Sequence, residues 1–536
     1  MKIELINLKR RFLSIVQFLL IAFVFGISYT QRPLYYDNQT TKFFHGLAQA
    51  SYGFLANDWF ASTIDPLPAF TFLVKITHLY LNEYAFYLYY IIIFGVYIYS
   101  LTGIISFIFP IHINPKIAID SKTNSDRLKY LVFFAILIVL HSINIQIKAL
   151  DLDTALNIHY GVAEQYVLGP YFQPSNFGVF IIFSIYRFLH RNYFIAVACL
   201  ALAATFHPTY LMSAAIICLT YLIVIYKNEG SLIKVLLVGG VATLFLLPVF
   251  SYMYFQFRPT TAELWAKSQY IIVQLRIPHH SIPQIFLSKP SAYLQFFLVA
   301  LALYLIRKTK VFVTLFIPFL IIVTLTIIQI VYPNNTIAFV APWRLSAVLV
   351  PIATSITVAW FVSYLFDRYF QIQHKRSVMV ASLATISMVF VLGLYNQGQM
   401  FVEQDRSIPM LNYVKKTTQQ EDLYLVPNKN KELRKFRVYT GAPILVNFKS
   451  HPYKDVEVLE WYERNLAAQA FYESPSDRQC DILKQLVADY QINKVVTESQ
   501  NFNANCSFLA QLYKDDRYGV YQLLGSRESG VGRGGF

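Results

Sequence analysis

Residues 84–108 read YAFYLYYIIIFGVYIYSLTGIISFI, a run without a single charged side chain. An α-helix rises about 1.5 Å per residue, so this run can cross the roughly 30 Å hydrocarbon core of a bilayer. Ten further apolar runs have comparable character, which predicts about eleven transmembrane helices. The other ten lie near 12–29, 130–147, 173–189, 192–207, 209–226, 231–255, 291–306, 311–331, 345–366 and 377–396.

The composition agrees with a polytopic α-helical membrane protein. Among the 536 residues, 56% are hydrophobic, 17% aromatic and only 14% charged. A soluble globular protein carries about 25% charged residues. The 39 Tyr and 45 Phe residues fit aromatic belts at many helix ends. These values exclude a disordered chain, a collagen, a coiled coil and a small disulfide-rich scaffold.

The distribution of charge predicts the orientation. Residues 1–396 contain 27 basic and 13 acidic side chains, whereas residues 397–536 contain 18 and 17. Loops on the side of the N-terminus, with their flanking residues, carry 18 basic groups, and the opposite loops carry 9. The positive-inside rule therefore predicts a cytoplasmic N-terminus, and an odd number of helices places the C-terminus outside. Since the basic excess lies in the membrane part, no nucleic-acid partner is expected.

The chain divides into three predicted regions. Residues 1–396 form a transmembrane domain, 397–524 a soluble extracytoplasmic α/β domain, and 525–536 a Gly- and Arg-rich tail that we expect to be disordered. In the soluble domain, periodicity predicts two helices, at Asp455–Ala470 and Asp477–Asp489. It also predicts four strands, at Leu423–Val426, Pro443–Phe448, Lys494–Thr497 and Gly519–Leu524.

Two of the four cysteines lie in the transmembrane region and two in the soluble domain. Cys199 and Cys218 lie in apolar runs and are expected to be inert core thiols. Cys480 and Cys506 lie in the polar domain. They can form a disulfide if that domain is extracytoplasmic and the backbone brings them to bonding distance.

The first outer loop holds three aspartates that follow a single membrane helix. Asp37 follows two tyrosines, Asp58 lies in the sequence Asn-Asp-Trp, and Asp65 precedes a proline. A carboxylate at the membrane interface can act as a general base or bind a metal. The alternative is that Asp37 and Asp65 cap helices or turns. We predict Asp58 and Asp37 as the catalytic candidates.

The second outer loop contains Asp151 and Asp153, and continues to Glu164. An Asp-x-Asp turn can offer two carboxylates to one divalent cation, but the motif is weak by itself, and a solvated loop or a cap for the next helix is the favoured alternative. Glu164 is a candidate for substrate contact.

His207 precedes a proline that breaks an apolar stretch near the outer face. It is a candidate ligand group or, alternatively, a structural hydrogen-bonding partner.

The third and fourth outer loops supply cations. The third contains Arg258 and the sequence Arg-Ile-Pro-His-His, in which Arg276, His279 and His280 can donate hydrogen bonds to a phosphate. The fourth ends at Arg344, which can bind a lipid phosphate or extend toward lipid headgroups. We predict all five as substrate-binding residues.

Taken in order along the chain, these features resemble the GT-C superfamily of membrane glycosyltransferases. The resemblance rests on the carboxylate-bearing loop after the first helix, the Asp-x-Asp after the third helix, and the α/β domain after the last. The segments Leu55–Trp59, Tyr166–Ser175, His207–Tyr210, Arg276–His280 and Phe448–Arg464 carry it. It covers nearly the whole chain, and the topology contributes more than any motif does.

The resemblance implies a function and a set of residue roles. An aspartate of the first outer loop would be the base or a metal ligand, and Asp37 lies close to the end of the first helix, as that family's residue does. Asp151 and Asp153 match the second acidic motif by position and would bind Mg²⁺ or Mn²⁺. No organic cofactor is expected. The donor would be a polyprenyl-phosphate-linked sugar and the acceptor a glycan, a lipid or a protein, at the outer face of a bacterial inner membrane.

Three alternative functions remain open from the sequence. A polysaccharide polymerase or ligase would use the third outer loop, around Arg276, as its main active element. A transporter or flippase would place functional charges inside helices and show two related halves, and neither feature is clear. A structural subunit would bind a partner through its soluble domain.

Overall fold

The computed structural model describes residues 2–29, 31–109, 124–142, 158–369, 375–402, 405–499 and 506–524. The contacts divide the chain into two compact units. The helical unit comprises Met1–Arg32, Tyr84–Tyr254 and Ile272–Phe401. The mixed unit comprises Pro33–Glu83, Phe255–Ile271 and Val402–Phe536. The first outer loop therefore packs with the C-terminal segment. The predicted division at residue 396 assigned that loop to the transmembrane domain instead.

The predicted membrane helices are confirmed in the described part of the chain. Six helices are long and apolar enough to cross a membrane, and four shorter apolar helices accompany them. With Asn124–Ser142, they reproduce the eleven predicted segments. The eleven helices are Lys2–Tyr29, Ala85–Ile108, Asn124–Ser142, Val179–Leu189, Tyr193–Phe206, Leu211–Glu229, Leu232–Phe257, Pro290–Ile306, Val311–Val331, Ser346–Tyr369 and Lys375–Val402.

Shorter helices lie between and after these segments. In the helical unit they are Pro278–Ser281, Pro283–Leu287 and Asn335–Val340. In the mixed unit they are Gln39–Lys42, Phe44–Gln49, Pro68–Tyr80, Ala262–Tyr270, Ile408–Thr417, Phe436–Thr440, Asp455–Glu473 and Ser476–Tyr490. Proline stands at the first position of several of them, where its missing N–H costs no hydrogen bond.

Some helices of the helical unit pack at very short range. A methyl group at Gly393 would lie 2.3 Å from the carbonyl oxygen of Ile27, so only glycine allows this approach. The amide of Gln397 donates a hydrogen bond to the same carbonyl oxygen at 3.0 Å. Small residues and polar side chains are the usual contacts between membrane helices. They fix the last helix against the first.

Other helical surfaces are apolar and exposed. Leu232–Phe257 presents Ile233, Leu236, Leu237 and Leu244 at the surface, with exposed fractions between 55% and 72%. A soluble protein rarely exposes so continuous an apolar surface. In a bilayer, lipid chains cover it.

A small mixed sheet organises the C-terminal part of the mixed unit. The strands are β1 (Tyr424–Leu425), β2 (Lys494–Glu498), β3 (Leu509–Lys514) and β4 (Tyr518–Leu523), in the order β1-β2-β4-β3. β1 pairs with β2 in parallel, and the other two pairs are antiparallel. Buried side chains of the sheet pack with those of Ile408–Thr417 and Phe436–Thr440.

Two strand predictions differ from the structure. The predicted strand Pro443–Phe448 is wrong, because only Ile444 forms a bridge with Tyr424, and the Ile444 N–H donates to the side chain of Asp58. The strand β3 was absent from the sequence prediction. It lies at the edge of the sheet, where three of its six residues are exposed and the other three half-buried, so it lacks a clear alternation of buried and exposed residues.

The first outer loop and the C-terminal segment meet at two glycines of the mixed unit. Gly53 and Gly441 have φ values of 55° and 76°, and a methyl group at Gly53 would lie 2.6 Å from the Gly441 backbone. The Phe54 N–H donates to the Gly441 carbonyl at 2.7 Å. Glycine is required here for both the left-handed conformation and the close approach.

Cys480 and Cys506 form a disulfide across 26 positions of the sequence, and Cys199 and Cys218 are buried free thiols. Closing a loop of this length stabilises a folded domain by about 3–4 kcal/mol in the chain-entropy model.

Replacement of Cys480 by Ser is therefore expected to lower the unfolding temperature. Reductant should lower it in the wild type but not in the variant. Reaction of all four thiols in denatured, unreduced protein would contradict the pairing.

Candidate functional site

Asp37 lies on a strained turn of the mixed unit. Tyr35 and Asp37 have φ values of 65° and 43°, in the left-handed region that non-glycine residues rarely adopt. Side-chain hydrogen bonds hold the turn. The Gln39 side-chain oxygen accepts from the Tyr35 N–H at 2.8 Å, and the Thr40 hydroxyl donates to the Asp37 carbonyl at 2.6 Å. Strain maintained in this way is common at functional sites.

Two cations bind the Asp37 carboxylate. Its Oδ1 lies 2.9 Å from Lys449 Nζ and 3.2 Å from Arg434 Nη1. The Asp37 side chain remains 29% exposed, and those of Arg434 and Lys449 are 29% and 21% exposed. The three side chains, named here the Asp37 cluster, are therefore accessible to a ligand while the structure holds them together.

More polar groups lie beside this cluster. The Thr41 and Ser450 hydroxyls are 2.9 Å apart, and Lys42 Nζ lies 5.5 Å from the ring centre of Tyr453. The segments that carry them adjoin Asp37 and Lys449 in sequence. Two cations pair with the one carboxylate of Asp37, and this surplus of positive charge favours an anionic ligand such as a phosphate.

Asp58, the other predicted catalytic aspartate, is buried in the mixed unit. Its Oδ1 accepts from the Phe60 N–H at 2.9 Å and from Arg437 Nη1 at 3.0 Å, and its Oδ2 accepts from the Ile444 N–H at 3.0 Å. The Asp58 and Arg437 side chains are 1% and 3% exposed. Because both oxygens are engaged and water is excluded, this geometry favours a structural role for Asp58.

Aromatic rings complete the surroundings of this buried pair. The Arg437 guanidinium lies 4.5 Å from the ring centre of Phe44 and 5.0 Å from that of Phe60. His45 packs on Phe60, and burial lowers the pKa of its imidazole. Burial also lowers the pKa of Arg437, while the Asp58 charge opposes that change. Burial thus favours the neutral form of His45, and Arg437 balances the Asp58 charge.

The neighbours of Asp58 are also engaged within the mixed unit. The Asn57 side-chain amide donates to the Gln420 carbonyl at 3.0 Å, and the Trp59 ring lies 4.6 Å from the Arg464 guanidinium carbon. Asp65 accepts from the Leu67 N–H at 2.8 Å, as a turn-forming residue does. The Asn-Asp-Trp sequence therefore anchors the first outer loop.

Arg258 lies at the surface of the mixed unit. Its carbonyl accepts from Lys454 Nζ at 2.5 Å. Thr260, two residues further on, donates from its N–H and its hydroxyl to Asp455 at 2.5 and 2.8 Å. These bonds fix the loop at the start of the helix Asp455–Glu473. The structure records no contact between Arg258 and the Asp37 cluster among the described residues.

In the helical unit, the second and third outer loops come together. Glu164 forms an ion pair with Lys289, and Ala163 and Glu164 both have positive φ values, of 58° and 55°. His280 Nδ1 lies 2.6 Å from the Ala163 carbonyl oxygen, which accepts if that nitrogen is protonated. The predicted residues Glu164 and His280 are therefore neighbours, joined through one backbone carbonyl.

The third and fourth outer loops also meet in the helical unit. The Trp343 indole N–H donates to the His280 carbonyl at 2.7 Å, which places Arg344 one residue from this contact. The rings of His279 and His280 are 4.0 Å apart. Arg276 ends a π-helical turn, Ile271–Arg276, a local irregularity that is frequent at functional sites. Arg276 and Arg344 are both half-buried.

His207 separates two helices, as its position before Pro208 suggested. Tyr193–Phe206 ends there, and a short 3-10 turn leads into Leu211–Glu229. His207 is buried, and its Nδ1 lies 3.2 Å from the Thr209 hydroxyl. This environment favours the structural alternative for His207.

The described residues around Asp37 do not fit a divalent cation. The partners of the Asp37 carboxylate are Arg434 and Lys449, whose charges repel a metal ion. In the ranges that the structure describes, no three His, Cys, Asp or Glu side chains are grouped for metal binding. Asp151 and Asp153, the predicted ligands, lie outside the described residues.

The sequence analysis did not identify Arg434, Lys449 or Lys289. A signal for the first was present, because residues 429–437 read KNKELRKFR and contain five basic side chains in a domain that is otherwise balanced in charge. Their pairing with Asp37 depends on a contact across about 400 positions of the sequence.

One family model matches part of the mixed unit. Residues 405–468 match a domain of unknown function, DUF6798. This segment contains Arg434 and Lys449, the two partners of Asp37, together with Arg437. No curated protein matches the sequence significantly.

Two solved structures are similar over nearly the whole chain. The crystal structure of ArnT from Cupriavidus metallidurans bound to undecaprenyl phosphate has 12% sequence identity and a TM-score of 0.50, and the match covers 95% of this chain and 97% of that one. The apo structure of the same protein gives the same identity and coverage, with a TM-score of 0.43. The chain therefore shares the overall fold of ArnT.

Proposed function

We propose that the protein is an integral membrane glycosyltransferase that moves a sugar from a polyprenyl-phosphate donor to an acceptor hydroxyl. The accessible Asp37 carboxylate, held on a strained turn beside Arg434 and Lys449, is the observation that carries this proposal. The ArnT-like fold supports it, and so does the undecaprenyl phosphate bound to ArnT, one of the structural neighbours.

The chemistry needs few groups. The bond from the anomeric carbon to the phosphate oxygen breaks, and a bond from that carbon to the acceptor oxygen forms. Asp37 takes the proton of the acceptor hydroxyl, and the lipid phosphate leaves with the electron pair. Arginine and lysine side chains stabilise the charge that develops on the phosphate.

Two observations support an extracytoplasmic site. The loops that carry Asp37 and the other candidate residues lie on the side with fewer basic residues, which the positive-inside rule places outside. The disulfide between Cys480 and Cys506 fits an oxidising compartment such as the bacterial periplasm. The acceptor on that side is a glycan, a lipid or a protein.

Arg276 and Arg344 are proposed to bind the donor phosphate, and Arg→Lys replacement tests this role. Lysine keeps the charge but loses the planar pair of donors that matches a phosphate. Each variant is expected to weaken the binding of undecaprenyl phosphate by roughly tenfold, the effect of about one charge-assisted hydrogen bond. Binding to the purified protein in detergent measures it.

Arg307→Lys is the matched control, since Arg307 lies in a loop at the other end of the helix Pro290–Ile306 and donates to the Tyr304 carbonyl. Its donor affinity should equal that of the wild type. Unchanged affinity in both the Arg276 and Arg344 variants would remove these residues from the donor site. Absence of any undecaprenyl phosphate binding by the wild type would contradict the proposed function itself.

A further inference from the structure

A cavity of about 390 Å³ lies in the helical unit, away from the outer loops. It is bordered by the ends of Val179–Leu189 and Leu211–Glu229 and by the start of Val311–Val331. The helix Tyr193–Phe206 runs from this cavity to His207. Its 14 residues span about 20 Å, so the cavity lies at the opposite end of that helix. By the charge bias of the loops, this end is cytoplasmic.

The lining of the cavity is amphipathic. Arg191 and Lys310 supply two positive charges at its exposed edge. Phe107, Phe188 and Ile225 belong to its apolar wall. A ligand that fills it must therefore combine an anionic group with apolar atoms.

The acidic residue of the cavity is already neutralised. Glu229 accepts from the Tyr193 hydroxyl at 2.5 Å and from Lys234 Nζ at 2.6 Å. Among the residues that the structure describes, neither Arg191 nor Lys310 has a carboxylate within ion-pair distance. Arg191 attracts Glu229 only beyond ion-pair distance, so both cations can contact an anion directly.

The backbone at Arg191 is unusual for an arginine. The helix Val179–Leu189 ends in a Schellman motif, in which the Asn192 N–H donates to the Arg187 carbonyl at 3.0 Å and the Arg191 N–H to the Phe188 carbonyl at 2.8 Å. Arg191 occupies the left-handed position of this motif, with φ 59°, where glycine is normally preferred. The conformation holds the arginine at the cavity edge despite its strain.

A buried hydroxyl supplies a second, independent indication of a ligand. Thr314 lines the cavity and is completely buried, yet its Oγ1 has no hydrogen-bonding partner among the described residues. Buried polar atoms without partners are rare in folded proteins, and each needs a water or a ligand to satisfy it. An oxygen-rich headgroup that enters the cavity can provide that partner.

From these observations, we propose that the cavity binds the phosphate headgroup of an anionic membrane phospholipid. Arg191 and Lys310 contact the phosphate, and the apolar wall contacts the glycerol and the first methylene groups. Phe194 and Tyr226, near the cavity in sequence, have exposed rings that provide an apolar surface for the acyl chains. Basic pockets between membrane helices on the cytoplasmic side commonly bind anionic lipids. A free phosphate ion would leave the apolar wall exposed to water.

Arg191→Gly provides the sharpest test, because glycine suits the left-handed position and removes the charge. With dioctanoyl phosphatidylglycerol as the probe, full-length protein in detergent should lose affinity roughly 10- to 100-fold in Arg191→Gly and in Lys310→Gln. The unfolding temperature of lipid-free Arg191→Gly should be unchanged or raised. Loss of binding then reflects the missing guanidinium rather than misfolding.

Lys227→Gln and Lys308→Gln are matched controls. Lys227 lies in the last turn of Leu211–Glu229 and Lys308 in the turn before Val311–Val331, and neither residue lines the cavity. Both controls should bind phosphatidylglycerol as the wild type does, and dioctanoyl phosphatidylcholine should bind more weakly. Equal loss in the controls would overturn the proposal in favour of diffuse surface charge. Equal binding of phosphatidylcholine, or displacement of the lipid by millimolar inorganic phosphate, would overturn the assignment of an anionic lipid.

Discussion

Replacement of Asp37 by Asn is expected to lower sugar transfer by about 10²- to 10⁴-fold, the usual contribution of a general base. The amide keeps the shape of the side chain but cannot accept the acceptor proton. Because the ion pairs of Asp37 are partly exposed, their loss should cost at most about 1 kcal/mol of stability. Transfer of labelled sugar from polyprenyl-phosphate donors in membranes measures the rate, and thermal unfolding of the same preparation measures the fold.

Asp481→Asn is the control for this experiment. Asp481 is 83% exposed, and among the described residues its ion-pair partner is Lys484 of the same helix, Ser476–Tyr490. Its replacement should therefore leave the transfer rate unchanged. Near-normal transfer by Asp37→Asn would show that the proposed base is wrong. Asp151 and Asp153 would then be the next candidates for this role.

Replacement of Asp58 by Asn is expected to destabilise the mixed unit by about 3–5 kcal/mol, the usual cost of leaving a buried charge without its partner. Arg437 would remain enclosed by Phe44 and Phe60, with no anion to balance it. The amide can still accept a hydrogen bond through its oxygen, but its NH₂ group would face the donors that now bind Oδ1 or Oδ2. The expected result is a fall of several degrees in unfolding temperature.

A double-mutant cycle separates this explanation from a general loss of packing. Arg437→Met removes the cation and fills a similar volume, so Asp58→Asn combined with Arg437→Met should be less destabilised than the sum of the two single variants. Additive effects would contradict the ion pair as the cause. A stable Asp58→Asn protein without transfer activity would restore Asp58 as a catalytic candidate.

Asp37 and Asp58 occupy different environments that the sequence does not distinguish. Asp58 lies in the more distinctive sequence, Asn-Asp-Trp. These residue types are compatible with a sugar-binding site and equally with a buried structural contact. The contacts show that Arg437 and Ile444, more than 370 positions away, occupy its oxygens. Asp58 is buried because the C-terminal segment packs on it, and the sequence around Asp58 does not predict that packing.

The membrane helices and their number followed from the sequence alone. Each helix satisfies its own backbone hydrogen bonds within one apolar run, and the length of the run sets the span. Because the bilayer excludes water, each apolar segment must form its own backbone hydrogen bonds, so its helical structure is determined locally. Two helices of the soluble domain, Asp455–Glu473 and Ser476–Tyr490, and most of its strands were predicted for the same reason, since their periodicity is contained in the segment itself. The helices Ile408–Thr417 and Phe436–Thr440 were not predicted.

Only the tertiary structure decided how the polar residues are grouped. Asp37 meets Arg434 and Lys449 because the first outer loop packs on the C-terminal segment through Gly53 and Gly441. The cavity at Arg191 depends on five helix ends that converge from separate parts of the chain. Contacts over such distances in sequence arise from the mutual burial of whole surfaces, which no single segment determines.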